Sequence, residues 1–191
     1  MTRCAWVGDE AIYQNYHDSE WGVPEYDGRA LWEKMILDGF QAGLSWITIL
    51  KKRENFRDAF AQFDPEVIAG WGEAEITELL GNPGIIRHRG KIAATISNAQ
   101  AYLDLGGAEA FSKLMWDYVG GAPMIGHYAT HSEVPTASDL SMQISKDLKK
   151  SGFKFCGPTI VYAWMEACGL FMNHTTDCDR YAVLSAASSK G

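Results

Sequence analysis

No apolar run in the 191-residue chain approaches the roughly 20 residues that span a bilayer. The start, Met1-Thr2-Arg3-Cys4-Ala5-Trp6, lacks the apolar core of a secretory signal, so a cytoplasmic, reducing setting is expected. Cysteine is scarce. Cys4, Cys156, Cys168 and Cys178 are the only four, and in a reducing setting they read as thiols or metal ligands, not disulfides. Positive charge is also short: 17 Lys and Arg against 24 Asp and Glu give a net charge of −7, which excludes a globally basic nucleic-acid binder. Repeats and low-complexity linkers are absent, and no alternating run is long enough to read as a strand. What is present is a chain 47% hydrophobic and 12% aromatic. That suffices for one substantial core, or for two small lobes sharing a groove.

The periodicity is helical almost throughout, which sets the fold class as all-α. A short helix is expected over residues 9–17. Asp27 caps a segment with Leu31, Met35 and Ile36 on one face. Ser45 caps the next, in which Ile47, Leu50, Phe56 and Phe60 recur at helical spacing. Asp64-Pro65 is a helix start with proline at the first helical position. Further helices are expected over 73–80, 91–105, 111–119, from Ser138-Asp139 to Lys150, and from Pro158 to Cys168 as the last clear one. Residues 120–136 read as a loop. The small, polar tail 185–191 reads as frayed, leaving residues 1–184 as a single domain.

Charge is unevenly spread. Lys51, Lys52, Arg53 and Arg57 form one basic patch; Arg87, His88, Arg89 and Lys91 a second; Lys146, Lys149, Lys150 and Lys154 a third. A local basic face on an acidic protein can still neutralise phosphates, although solvated helix faces look the same in sequence.

Three stretches carry candidate chemistry. Asp38-Gly39-Phe40-Gln41-Ala42-Gly43-Leu44-Ser45-Trp46 packs a carboxylate, an amide, an apolar side chain and an indole around two glycines, read as a turn between two helices. A packing corner with a buried Trp46 would have the same spacing. His174 and Cys178 stand four residues apart, a spacing compatible with one metal, and Cys4 and His17 lie at the other end of the chain. Spacing leaves open either unrelated thiols and imidazoles or a Cys₂His₂ set, which has no open coordination position and ties the termini together. Gly152-Phe153-Lys154-Phe155-Cys156-Gly157-Pro158-Thr159 lies between two helices. It is compatible with a helix-hairpin-helix that presents backbone N–H groups to a phosphate, or with a plain αα-corner. Phe155 stands where such a hairpin has its first glycine.

These segments occur together with Arg3-Cys4-Ala5-Trp6, Tyr16-His17-Asp18-Ser19-Glu20-Trp21-Gly22-Val23-Pro24, Leu50-Lys51-Lys52-Arg53 and Ile85-Ile86-Arg87-His88-Arg89-Gly90-Lys91-Ile92. From about Arg3 to about Tyr181 the chain resembles the bacterial 3-methyladenine DNA glycosylase I family of the helix-hairpin-helix glycosylases. The resemblance implies an all-α fold with a base pocket between two helical lobes. It implies a structural zinc, one per chain, held by Cys4, His17, His174 and Cys178. The pocket would be lined by Trp6, Tyr13, Tyr16, Trp21 and Trp46. The family's pocket carboxylate is usually Glu; here it is Asp38, one methylene shorter. Asp38 and Tyr16 would be the catalytic pair. Leu44 would wedge into the duplex, flanked by Gln41 and Gly43, and Lys154 and Gly157 would meet a phosphate.

The partner implied is double-stranded DNA containing 3-methyladenine, the protein acting as a monomer away from any membrane. The reaction is hydrolysis of the N-glycosidic bond. Bifunctional relatives place a Schiff-base lysine just after the hairpin, where this chain has Thr159, so no strand cleavage is expected. The region Met172-Asn173-His174 holds no carboxylate where many hairpin glycosylases have an Asp. A zinc-stapled module that only binds damaged DNA would not require five pocket aromatics and a carboxylate. A zinc hydrolase would require an open metal position.

Overall fold

A computed structural model describes residues 1–188. The described residues form eleven α-helices: α1 (Ala11–Ser19), α2 (Gly28–Gln41), α3 (Trp46–Leu50), α4 (Arg53–Ala59), α5 (Pro65–Ala69), α6 (Glu73–Leu80), α7 (Arg89–Asp104), α8 (Gly107–Asp117), α9 (Asp139–Lys150), α10 (Pro158–Ala167) and α11 (Asp179–Ser188). The all-α reading of the sequence holds, apart from one short parallel pairing. In it β1 (Met124–Ile125) runs beside β2 (Phe171–Met172), with Met124 opposite Phe171.

Helix starts follow the capping residues. Asp27 Oδ1 accepts from Ala30 N–H at 2.8 Å, and Asp64 accepts from Glu66 N–H at 3.0 Å with Pro65 in the first turn. Ser138 and Ser141 exchange hydrogen bonds at the start of α9. Ser45 occupies the cap position of α3, but its hydroxyl pairs with the Thr48 hydroxyl at 2.8 Å and caps no backbone group. The segment expected to run on from Ser45 is broken between α3 and α4.

α2 is the hub. It packs against α3, α7, α8 and α10, and Leu31, Trp32, Met35, Ile36, Leu37 and Phe40 are all buried. A helix apolar on so much of its surface belongs in the middle of a helical protein. Trp164 Nε1 of α10 donates to the Leu31 carbonyl at 2.9 Å, locking the two helices in register. Most of the buried apolar residues form one continuous cluster from Cys4 to Cys178.

Two further expectations change. Gly39 is not part of a turn: it lies inside α2, where a Cβ would meet the Phe155 carbonyl at 3.3 Å, so the missing side chain lets α2 approach the α9–α10 loop. Only Gly43, at φ +80, carries the turn. The stretch 185–191, expected to be frayed, is helical where it is described: α11 runs through residues 185–188, and residues 189–191 lie outside the described residues. No described helix is long and apolar enough to cross a membrane.

Candidate active site and metal-ligand cluster

Beside the C-terminal end of α2 lies a cavity of about 200 Å³. Trp6, Tyr13, Tyr16, Trp21, Asp38, Gln41 and Trp46 line it, drawn from the N-terminal segment, α1, the turn after α1, α2 and α3. Every residue that the sequence resemblance put in a base pocket, and the Gln41 assigned to the duplex, thus reaches one site. The aromatic part of the lining is continuous. Trp6 meets Tyr13 at 4.9 Å and Trp21 at 5.0 Å between ring centroids, and Tyr16 meets Trp46 at 5.4 Å. Such tilted and edge-on pairs are the favoured aromatic geometries.

The polar groups of this cavity are under-satisfied. Asp38 is buried, and its Oδ2 has no hydrogen-bond partner among the described residues. Burial pushes its carboxyl up to about 6, against the pull of the Lys34 charge. Trp46 Nε1 is likewise buried without a partner. Buried polar atoms are nearly always paired, so two orphans facing one cavity point to a polar ligand. Lys34 lies behind this wall: its Nζ donates to Tyr16 Oη at 2.9 Å and sits 3.4 Å above the Trp46 ring. Burial lowers the Lys34 ammonium, and the Asp38 charge opposes that shift. With its oxygen accepting from Lys34, the Tyr16 hydroxyl keeps its own hydrogen to donate, and burial holds its ionisation well above the usual tyrosine range.

Sequence reasoning missed part of this site. Glu166 of α10 and His131 of the 120–136 loop complete the lining, with Ala163 and Ala167. In sequence Glu166 is one acid in an apolar helix. The available signal was that Ala163 and Ala167 stand three residues before and one after it, clearing a face around a single carboxylate.

The turn after α2 is held from below. Lys91 Nζ donates to the carbonyls of Phe40 at 2.8 Å and Ala42 at 2.6 Å, satisfying the helix C-terminus. Lys91 is therefore buried and is not part of a solvated basic patch. The turn presents Leu44 outward, 42% exposed, beside the exposed Gly43.

Between α9 and α10 the hairpin loop takes Phe155 into the left-handed region, φ +53. Asn98 of α7 pins it, its Oδ1 accepting from Lys154 N–H at 2.7 Å and its Nδ2 donating to the Lys154 carbonyl at 3.0 Å. The Lys154 N–H is thus occupied, whereas its side chain is exposed and Gly157 leads into the α10 N-terminus. Lys154 and Gly157 lie in this loop and do not line the cavity. Lys146, Lys149 and Lys154 have no ion pair among the described residues. The first basic patch is consumed internally: Lys51 pairs with Glu10, Arg53 with Glu20, and Arg57 with Glu33 and Glu54.

Cys4, His17, His174 and Cys178 converge with all ligand atoms within 4.8 Å of one another, all buried, in a group that could hold a metal ion. His174 Nδ1 lies 3.5 Å from both sulfurs and 3.2 Å from His17 Nε2, and Cys178 Sγ lies 3.5 Å from His17 Nε2. The outward nitrogens are fixed: His17 Nδ1 pairs with Asp18 at 2.8 Å and His174 Nε2 with the Trp21 carbonyl at 3.0 Å. Asp18 is in turn held by Arg3. Burial lowers His174 to about 4, keeping it in the neutral, ligating form, and raises the Cys4 thiol to about 11.

A family model for methyladenine glycosylase matches residues 6–181. DNA-3-methyladenine glycosylase 1 of Escherichia coli (strain K12) is 50% identical over 182 residues, covering 95% of this chain and 97% of that protein. DNA-3-methyladenine glycosylase of Haemophilus influenzae is 48% identical over 178 residues, covering 93% and 96%. Among solved structures, a Staphylococcus aureus 3-methyladenine DNA glycosylase I, studied for its recognition of 3-methyladenine, superposes with a TM-score of 0.89 at 43% identity, covering 94% of this chain and 96% of that one. With matches of this extent in both sequence and structure, the chain belongs to the methyladenine glycosylase family.

Proposed function

We propose that this protein is a base-excision glycosylase that hydrolyses the N-glycosidic bond of 3-methyladenine in alkylated duplex DNA and leaves an abasic site. The observation that carries the reading is the aromatic cavity with an unpartnered carboxylate at Asp38. Its volume is below the roughly 300–1,000 Å³ of sites for drug-sized ligands, which suits one small ring system.

The substrate nucleotide is extruded from the stack so that its base enters this cavity. Methylation at N3 places a positive charge on the base while it is attached to the sugar. Its glycosidic bond is already weakened, and no protonation is required for departure. The faces of Trp46, Trp6 and Tyr13 attract that cation by about 0.5–2 kcal/mol per well-placed contact. Asp38 offers charge and an acceptor to the exocyclic amine, and Tyr16 Oη offers a donor to the ring. As water adds at C1′ the glycosidic bond breaks, the base leaves neutral with the bonding pair and the water's proton passes to solvent, so the pocket serves the cationic purine and discriminates against adenine, which lacks the charge.

Leu44 fills the gap in the duplex, flanked by Gln41 and Gly43, and offsets part of an unstacking cost of a few kcal/mol. Gly157, the α10 N-terminus and Lys154 take the phosphate backbone. Thr159 is exposed at the post-hairpin position and supplies no amine, so no Schiff base forms and the strand stays intact.

The four-ligand cluster fits zinc. A tetrahedron with Zn–S of about 2.3 Å and Zn–N of about 2.0–2.1 Å has S···N edges near 3.5 Å and an N···N edge near 3.3 Å. Those are close to the separations found here. Four protein ligands leave no open position, so its role is to join the N-terminal segment and α1 to the segment before α11. Residues 1–188 act as one domain and the enzyme as a monomer. The test is release of free 3-methyladenine from methylated duplex. Wild-type protein should release it and Asp38→Asn should do so far more slowly; equal release by both would remove Asp38 from its role.

A further inference from the structure

The cavity wall contributed by α10 holds one polar side chain, Glu166, between two alanines. Its carboxylate is oriented. Asn173 Nδ2 donates to Oε1 at 2.9 Å and is itself fixed by a 3.0 Å bond to Tyr162 Oη. Oε2 has no hydrogen-bond partner among the described residues.

The charges around the cavity explain why a second acid stands there. Asp38 is the short carboxylate, deep in α2 and without a hydrogen bond, and its charge is felt by Lys34. The Lys34 ammonium lies against the ring of Trp46 that faces the cavity. Asp38 and Lys34 together sum to zero, so a cationic base entering the site would meet no net negative charge from this pair. Glu166 restores the missing unit. Burial raises its carboxyl to about 7, and the Asp38 charge adds to that shift against the Asn173 hydrogen bond. A cation in the cavity acts in the opposite direction and favours the ionised form.

We infer that Glu166 is a second base-recognition carboxylate, which presents Oε2 to the positively charged purine and makes up for the short reach of Asp38 and for the Lys34 charge. The inference deepens the base-excision reading and rests on it.

The experiment is single-turnover release of 3-methyladenine from methylated duplex by wild type, Glu166→Gln, Asp38→Glu and the double variant. Thermal melting and binding to a duplex bearing a tetrahydrofuran abasic analogue are measured alongside. Gln keeps an acceptor for Asn173, removes the charge and turns the Oε2 acceptor into an NH2 donor. Glu166→Gln should lose roughly 10- to 100-fold in the single-turnover rate constant, the loss of one hydrogen bond to a charged group. Melting temperature should not fall, and abasic-duplex binding should be unchanged. Adding Asp38→Glu, which lengthens the remaining carboxylate, should recover most of the loss. A purely structural Glu166 would not be rescued in this way. Glu166→Gln activity within twofold of wild type overturns the inference while leaving base excision intact. A loss without rescue, or one accompanied by weaker abasic-duplex binding, also overturns it by assigning Glu166 to the scaffold. Wild-type protein that releases no base overturns the base-excision reading together with this inference.

Discussion

Replacing Asp38 by Asn should stabilise the protein while disabling it, and the stabilisation should depend on pH. In the native fold the Asp38 carboxyl is raised from 3.8 to about 6, chiefly by burial. Between those values the folded protein holds a proton that the unfolded chain releases. The wild type therefore loses stability as pH rises through this window, at about 1.36 kcal/mol per pH unit. The accumulated penalty is about 3 kcal/mol once pH exceeds 6. Below pH 3.8 both states carry a neutral side chain and the penalty vanishes. Asn has nearly the same shape and no charge, and no hydrogen bond of Asp38 is broken by the change. For a chain of this length about 3 kcal/mol corresponds to roughly 6–12 °C in melting temperature. Melting curves of both proteins from pH 4 to pH 8 read it directly. The difference should be small at pH 4, grow towards pH 6 and then level off. A difference that is independent of pH, or an Asn variant less stable than wild type at pH 8, would refute the claim that a buried carboxylate without a hydrogen bond is held at this position at a net cost to stability. Stability sacrificed at a functional carboxylate is the usual form of the stability–activity trade-off.

Other outcomes follow from the same structure. Lys149→Ala and Lys154→Ala should each weaken DNA binding regardless of sequence and reduce the slope of log K against log salt by about 1. Arg53→Ala should instead lower the melting temperature through the lost Glu20 pairing, with little change in that slope. An unchanged slope in both lysine variants would move the DNA interface off the hairpin. Metal analysis should find about one zinc per chain. Chelation should lower the melting temperature and speed amide exchange in residues 2–17 and 174–181, and a metal-free protein with unchanged melting would remove the staple.

Local signals made most of the helices legible in sequence. Asp27, Asp64 and Ser138 start helices because each side chain satisfies an orphan N–H, a requirement set within four residues. Tyr16, Asp38 and Trp46 could be placed in one site only through the resemblance, because nothing in their spacing brings α1, α2 and α3 to one cavity. Gly39 was misread because glycine in a turn and glycine at a close helix–loop approach look alike in sequence; Phe155, distant in the chain, decides between them. Lys91 was assigned to a basic patch by its neighbours Arg87 and Arg89, while its partners are carbonyls some fifty residues earlier. Glu166 and Lys34 escaped notice for the same reason. Their environment is made by long-range packing, and neither sits in a motif of its own.

The central claim is that the cavity at Asp38 excises a cationic purine. Wild-type protein on methylated duplex, with released bases separated and the strands sized before and after alkali, tests it directly. The account predicts free 3-methyladenine, strands that stay intact until alkali cleaves the abasic sites, and no protein–DNA adduct under borohydride. Absence of 3-methyladenine above background would contradict the claim, and strands cut without alkali, or a trapped adduct, would contradict the assignment of hydrolysis without strand cleavage.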